Sequence, residues 1–324
     1  MRRYLGRRTI TAIVCVAMVL VANFAVIHLA PGNPARVLVG TETPTQAQID
    51  MLNARFGLDR PIYEQFFRYV AGLFRGDLGV SFFTGESVSW LITSRLGYTA
   101  LLTMSGLIMA VIIGTLMGIV CSRRVGGKLD TFMTAISSLL ESFPSFWLGL
   151  MMMLVFAAWL GWLPFSGIVD IRAGHTGFAR VLDIGRHLIL PASTLTLINI
   201  PYFFRIARSS MIQTLGEDFI VTLRAAGMPE ERIFGKYVFR NAVLPSVTAV
   251  SISMAYVVTG SALVEMVFSW PGMGSYMMTS IGRRDYPVLM GIYLMLSVSV
   301  AVVMILVDIL YAFLDPRVSH ATKG

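Results

Sequence analysis

Apolar positions in this chain come mostly in long, nearly unbroken runs. Six of them approach the ~20 residues that carry a helix across a bilayer: 9–30, 99–121, 133–160, 188–207, 245–268 and 287–313. Two polar stretches interrupt the series. Residues 31–98 hold six basic and six acidic side chains, and within them YEQFFRYVAGLF has the 3.6-residue periodicity of an amphipathic helix. That length exceeds a connector, so a folded unit beyond the first span is expected. The second stretch, VTLRAAGMPEERIFGKYVFRNAVLP over 221–245, is charged and helix-favouring, yet it lies between two apolar runs. Gly227 can end one short helix there and Pro229 can open another, with Glu230 and Glu231 in the favoured first turn. Phe219, Leu223 and Ala226 can share a face of the first helix, and Ile233, Lys236, Tyr237 and Arg240 a face of the second. The pattern predicts an all-α polytopic membrane protein with six transmembrane helices.

Composition agrees: 56% of the 324 residues are hydrophobic and 14% charged, with a mean hydropathy of +0.72, against about 25% charged residues in soluble domains. The net charge of +8 reads as topology. With the N-terminus inside, segments 1–8, 122–132, 208–244 and 314–324 hold 14 Lys and Arg in 67 positions, and the outer segments hold 11 in 113. Both termini are therefore expected in the cytoplasm. No basic tract is interleaved with aromatics, so no nucleic-acid partner is expected. The basic front RRYLGRR is followed by a run longer than a signal-peptide core and then by PGNP, without a small-x-small cleavage site, which predicts a retained first helix.

Several chemistries are missing from the sequence. Cys15 and Cys121 have no CxxC or Cys/His spacing, so neither a disulfide framework nor a metal site is expected. Gly127-Lys128 and Gly235-Lys236 are followed by Leu and Tyr, so no phosphate-cradling GxxxxGK[ST] loop exists and ATP with its Mg²⁺ must belong to other chains. There is no HExxH or GxSxG, and His28, His175, His187 and His320 are scattered, which argues against an enzyme. No internal duplication of the kind built into self-contained secondary transporters is visible.

Ionisable groups inside apolar runs are functional candidates because burying them is costly. Glu141 precedes FPSF, where Pro144 can kink the helix; it can line a path or pair across a subunit interface. Glu265 and Asp308 lie near span ends, where structural pairing is expected. Arg205 is expected to snorkel to the cytoplasmic side. WPGMG, from Trp270 through Gly272 to Gly274, suits a turn with an aromatic at interface depth, either near a gate or as a simple anchor. Gly114 and Gly118 permit close helix approach. Asp77 and Gly79 are turn formers, and the methionines are adaptable packing.

The spacing R-A-x-G-x(17)-P, at Arg224, Ala225, Gly227 and Pro245, resembles the coupling loop of binding-protein-dependent ABC importer permeases, in particular the B-type subunit of the oligopeptide/dipeptide subfamily. The likeness continues through DRPIYEQF, RGDLGVSF, FPSFWLGL, LGWLPFSG, RIARSSM, LVEMVFSWPGMG, RDYPV and VDILYAFLDPR, in order along nearly the whole chain. The family's Glu-Ala-Ala positions are Val221, Thr222 and Leu223 here, and its Lys before the Gly is Ala226. The resemblance implies a type I ABC importer permease fold in the bacterial or archaeal inner membrane. It divides the chain into 1–30 (first span), 31–98 (extracytoplasmic domain), 99–313 (permease core with a coupling loop at 208–244) and 314–324 (tail). It also implies a second homologous permease, two ATP-binding subunits, a solute-binding protein and a peptide cargo; nickel complexes, glutathione and glycosides are the subfamily's other cargoes. Residues 221–245 would then dock on an ATPase; the alternative from pattern alone is a helix lying on lipid.

Overall fold

The apolar runs become helices even where Pro191, Pro201 and Pro245 lie inside them, and nearly every described element is a helix. The computed structural model describes residues 2–29, 45–255, 257 and 261–314. In chain order the helices are α1 (Arg2–Leu29), α2 (Gln46–Phe56), α3 (Ile62–Leu73), α4 (Val88–Ser122), α5 (Lys128–Ser142), α6 (Ser145–Met153), α7 (Gly177–Leu215), α8 (Asp218–Ala225), α9 (Glu230–Arg232), α10 (Phe239–Ala255), α11 (Ala262–Val267), α12 (Met273–Arg283) and α13 (Tyr286–Leu314). Two π-helical turns, Leu154–Trp159 and Ile233–Val238, continue α6 and α9. The chain divides into two compact units, Met1–Thr99 with Pro271–Gly324, and Ala100–Trp270, with α4 running from one into the other.

In the first unit α1 packs along α13. Phe24, Tyr286, Leu289 and Met290 form a buried cluster against Phe66, Tyr69 and Phe82. A second cluster joins Val88, Leu91 and Ile92 to Met273, Val288 and Ile292. Buried Asp285 accepts hydrogen bonds from Ser81 Oγ (2.5 Å) and the Phe82 N–H (3.1 Å), fixing the 77–87 turn. As expected for a turn former, the Asp77 carboxylate accepts from the Gly79 N–H at 2.8 Å.

In the second unit α4 and α7 meet at backbone distance. A Cβ on Gly114 would lie 2.8 Å from the Ile200 carbonyl oxygen, and one on Gly118 2.8 Å from Ala207 Cβ. The close approach expected of this glycine pair is therefore made within the chain. Thr103 Oγ1 donates to the Val257 carbonyl at 2.8 Å, tying α4 to the segment after α10.

Four described helices are long and apolar enough to cross a membrane, and a fifth if α5 and α6 count as one span. The expectation of six continuous runs is corrected in its particulars. The run 133–160 is broken by a 100° bend between α5 and α6. Pro144 lacks an N–H and forces Phe143 into an extended conformation (φ −85°, ψ 132°), so the break is far sharper than a kink. The run 99–121 starts at Val88, and 188–207 belongs to a 39-residue helix that starts at Gly177. Each of these helices opens with polar residues, which a hydropathy window leaves out although they continue the helix. The run 245–268 is two helices, because Ser261 leaves helical angles (φ −114°, ψ 89°) before α11. Residues 256 and 258–260 and the Asp308 side chain lie outside the described residues, as does the tail 315–324.

Candidate functional site

The charged stretch after α7 folds as a small braced unit. Gly216 ends α7, and α8 begins at Asp218 with its acidic group in the first turn. Within the expected loop 208–244, residues 208–215 continue α7, and 239–244, with Pro245, belong to α10. Gly227 has φ +75° and nothing within 4 Å of its Cβ position, so it reverses the chain by conformation and not by packing. Pro229 then precedes Glu230 and Glu231 in the first turn of α9.

Beneath this turn lies a dedicated core of Met211, Ile220, Ile233, Val238 and Ala242, joined by Ile119, Leu215 and Leu223. The expected face of Phe219, Leu223 and Ala226 is corrected: Ile220 is fully buried and Phe219 38% exposed. Ser210 Oγ donates to the Ala242 carbonyl at 2.8 Å, locking α7 to α10. Arg123 lies over the Phe234 ring at 4.9 Å. The exposed edge carries Val221, Thr222, Arg224, Ala225, Ala226 and Gly227. Arg224 is not free on that edge: its Nε donates to Glu230 Oε1 at 2.6 Å, spanning the Gly227 turn. The guanidinium holds the Glu230 carboxyl below its usual range, chiefly through that hydrogen bond.

Glu141, in the last turn of α5, receives a two-point contact from Arg205 of α7, one arm at 2.7 Å. Arg205, expected to snorkel, has a carboxylate on the neighbouring helix as its partner. Both side chains stay about half exposed, 54% and 50%. Nearby, Asp130 is buried and accepts from Arg208 Nε (2.6 Å) and Nη2 (2.7 Å) and from the Gly126 N–H (2.8 Å). Sequence reasoning missed this clamp. Its only trace is an Asp and an Arg at the ends of two different apolar runs.

Trp270 is fully buried, which corrects its reading as an interface anchor. The Trp270 backbone N–H donates to the backbone carbonyl of Glu265 at 2.8 Å, closing the end of α11. Glu265 is also fully buried. Gly272 is the N-cap of α12. Among the described residues no cluster of three or more His, Cys, Asp or Glu could hold a metal ion.

The family described as "Binding-protein-dependent transport system inner membrane component" matches residues 110–320, and its N-terminal companion matches 1–103. The oligopeptide transport system permease protein AppB of Bacillus subtilis is 34% identical over 99% of this chain and 100% of its own. The di/tripeptide transport system permease protein DppB of Pseudomonas aeruginosa is 35% identical, covering 93% and 94%. The glutathione transport system permease protein GsiC of Escherichia coli O6:H1 is 34% identical over 99% and 100%. An inward-facing structure of the MetNI methionine ABC transporter shares the fold with a TM-score of 0.52 at 17% identity, covering 70% of this chain and 97% of that one. The chain belongs to the binding-protein-dependent transport system inner membrane component family: it is a multi-pass permease subunit of a bacterial inner-membrane ABC importer, not an enzyme, and works with an ATPase and a binding protein.

Proposed function

We propose that this permease forms half of a translocation path for short peptides, with a second homologous permease as the other half and 216–238 as the element driven by one of two ATPase subunits. The carrying observation is the braced turn at Gly227. Its own core ties it to α7 and α10, so a push on its exposed edge moves both helices together and is not lost in a slack loop. ATP and Mg²⁺ are bound by the ATPases, since the chain has no phosphate loop. The peptide class is supported by the relatives' names, and nickel complexes, glutathione and glycosides are the alternatives, with the binding protein setting selectivity. Peptide-loaded cognate binding protein should stimulate ATP hydrolysis by the reconstituted complex. If only a non-peptide cargo does so, the substrate assignment falls.

In this reading six spans place both termini in the cytoplasm, with 31–98 outside as a receiving domain for the binding protein. Division of the chain at 30, 98 and 313 follows from it. In a chain lacking Cys15 and Cys121, Glu86→Cys should react with an impermeant thiol reagent from outside, and Glu231→Cys only after the membrane is breached. The reverse labelling would invert the topology.

The Glu141–Arg205 pair belongs at the path or at the contact with the second permease. An ion pair half exposed among apolar helices is costly against lipid, so its open side faces water or protein. Pro144, three residues after Glu141, sets the position of the pair by ending α5 at Ser142. Buried Glu265 and Trp270 act by holding the end of α11 in shape, and Gly272 by capping α12.

A further inference from the structure

Only one side of α3 packs on its own chain. Phe66 and Tyr69 rest on Phe24 of α1 and on Tyr286, Leu289 and Met290 of α13. The Phe24 ring lies 5.1 Å from that of Phe66 and 6.5 Å from that of Tyr69, and His28 Nε2 is 3.2 Å from Gln65 Oε1. These contacts set the level of the helix. The apolar helix α1 ends at Leu29, five residues past Phe24, and the apolar stretch of α13 opens at Tyr286, so α3 packs beside the adjoining ends of two candidate spans.

The rest of its surface is sorted. Tyr63 and Phe67 are 68% and 67% exposed, and Phe74, just past the last turn, is 89% exposed. Spacings of four and seven residues put them on one stripe. Each is followed by a charged residue: Glu64 and Arg68 lie about 100° further round the helix, and Arg75 follows Phe74 in the turn that closes it. Glu64 pairs with Arg60 at 2.6 Å and with Arg68 at 3.3 Å, and Arg68 stays 60% exposed. Core, aromatic and charged faces therefore follow one another about a third of a turn apart. A helix lying along a membrane surface beside its own protein needs that arrangement: one side on the protein, one toward the acyl chains, one toward phosphate and water.

We propose that α3 lies in the phospholipid headgroup layer, with Tyr63, Phe67 and Phe74 seated at the acyl-chain boundary and Arg68 and Arg75 at phosphate level. Aromatics are favoured at that depth, and the guanidinium groups complement lipid phosphate. The choice of the outer leaflet rests on the topology proposed above; the lipid contact does not.

The test is a spin label at Tyr63→Cys, Phe67→Cys or Arg75→Cys in the Cys15→Ser, Cys121→Ser chain. The whole importer is reconstituted in phosphatidylethanolamine/phosphatidylglycerol vesicles, and collisions with oxygen and with a polar nickel chelate are compared. Oxygen should exceed the chelate several-fold at 63 and 67, and the order should reverse at 75. Chelate collisions at 63 and 67 as frequent as at 75 would mean that the stripe faces water. Labels at 63 and 67 that become shielded only when binding protein is added would make it a protein contact; either result overturns the proposal. Chelate confined to one side of the vesicle reads the leaflet separately. If the depth pattern holds but the label at 75 is reached from the cytoplasmic side, the topology falls and the lipid contact stands.

Discussion

A Gly227→Val permease should assemble with its partners and insert normally, yet lose most of its ATPase stimulation by loaded binding protein and most of its transport. At φ +75° a side chain costs about 1–2 kcal/mol, with β-branched residues at the upper end. That is enough to shift a two-state balance by roughly 5–30-fold. Apart from its chain neighbours nothing lies within 4 Å of the new Cβ, so the cost is chiefly backbone strain. The chain relieves it by leaving the left-handed region, which changes the angle between α8 and α9. Gly227→Ala should fall between wild type and Val. Wild-type hydrolysis and uptake by Gly227→Val complexes would remove 216–238 as the driven element and return the lipid-surface alternative.

The Arg224–Glu230 pair alters how charge reversal nearby is interpreted. Arg224→Glu alone sets two carboxylates against each other across the turn, so a loss of coupling has two causes. The exchange Arg224→Glu with Glu230→Arg restores the internal pair while reversing the exposed charge, and a continued loss there assigns the effect to the ATPase contact. Because the folded Glu230 carboxyl is held below its ordinary value, its contribution is present above the unfolded value of about 4.3 and disappears as pH falls through the folded value. Both groups are exposed, so the contribution is small and coupling should be flat from about pH 6 to 8 as far as this pair is concerned.

Asp130→Ala should destabilise the Ala100–Trp270 unit by about 3 kcal/mol, because it strands the Arg208 guanidinium and the Gly126 N–H that share one buried carboxylate. Arg208 keeps 27% exposure, which limits the penalty to the lower end of the buried-pair range. Asp130→Ala with Arg208→Met should recover much of the loss, since no unpaired charge remains. Denaturation midpoints in detergent measure both. A single variant as stable as wild type would mean that water or lipid headgroups replace the carboxylate. The pair joins α5 to α7, the helix that feeds the braced turn, so a loosened Asp130→Ala complex should also couple poorly.

Much of the molecule is legible in its sequence. Long apolar runs announce helices because a bilayer demands internally satisfied backbone over about 30 Å. YEQFFRYVAGLF announces α3 by its period, and Gly227 and Pro229 announce a chain reversal by the conformations that only those residues favour. What fails is boundaries and partners. Hydropathy cannot see that α4 and α7 continue into polar sequence, since helix propensity is indifferent to exposure. Nor can it see that Pro144 turns a run by 100°, because the same proline gives a mild kink wherever neighbouring helices hold both halves in line.

The sequence by itself determined the helical class, the places where the backbone must turn, and the absence of a phosphate loop, because each depends on residues adjacent in the chain. Tertiary structure alone decided that Arg205 meets Glu141, that Arg208 meets Asp130, that Ile220 and not Phe219 faces the core, and that Trp270 is buried. Those outcomes depend on which side of a helix faces which neighbour across tens of residues. A rotation of a helix about its axis is invisible in composition, yet it separates a buried clamp from a charge left in lipid.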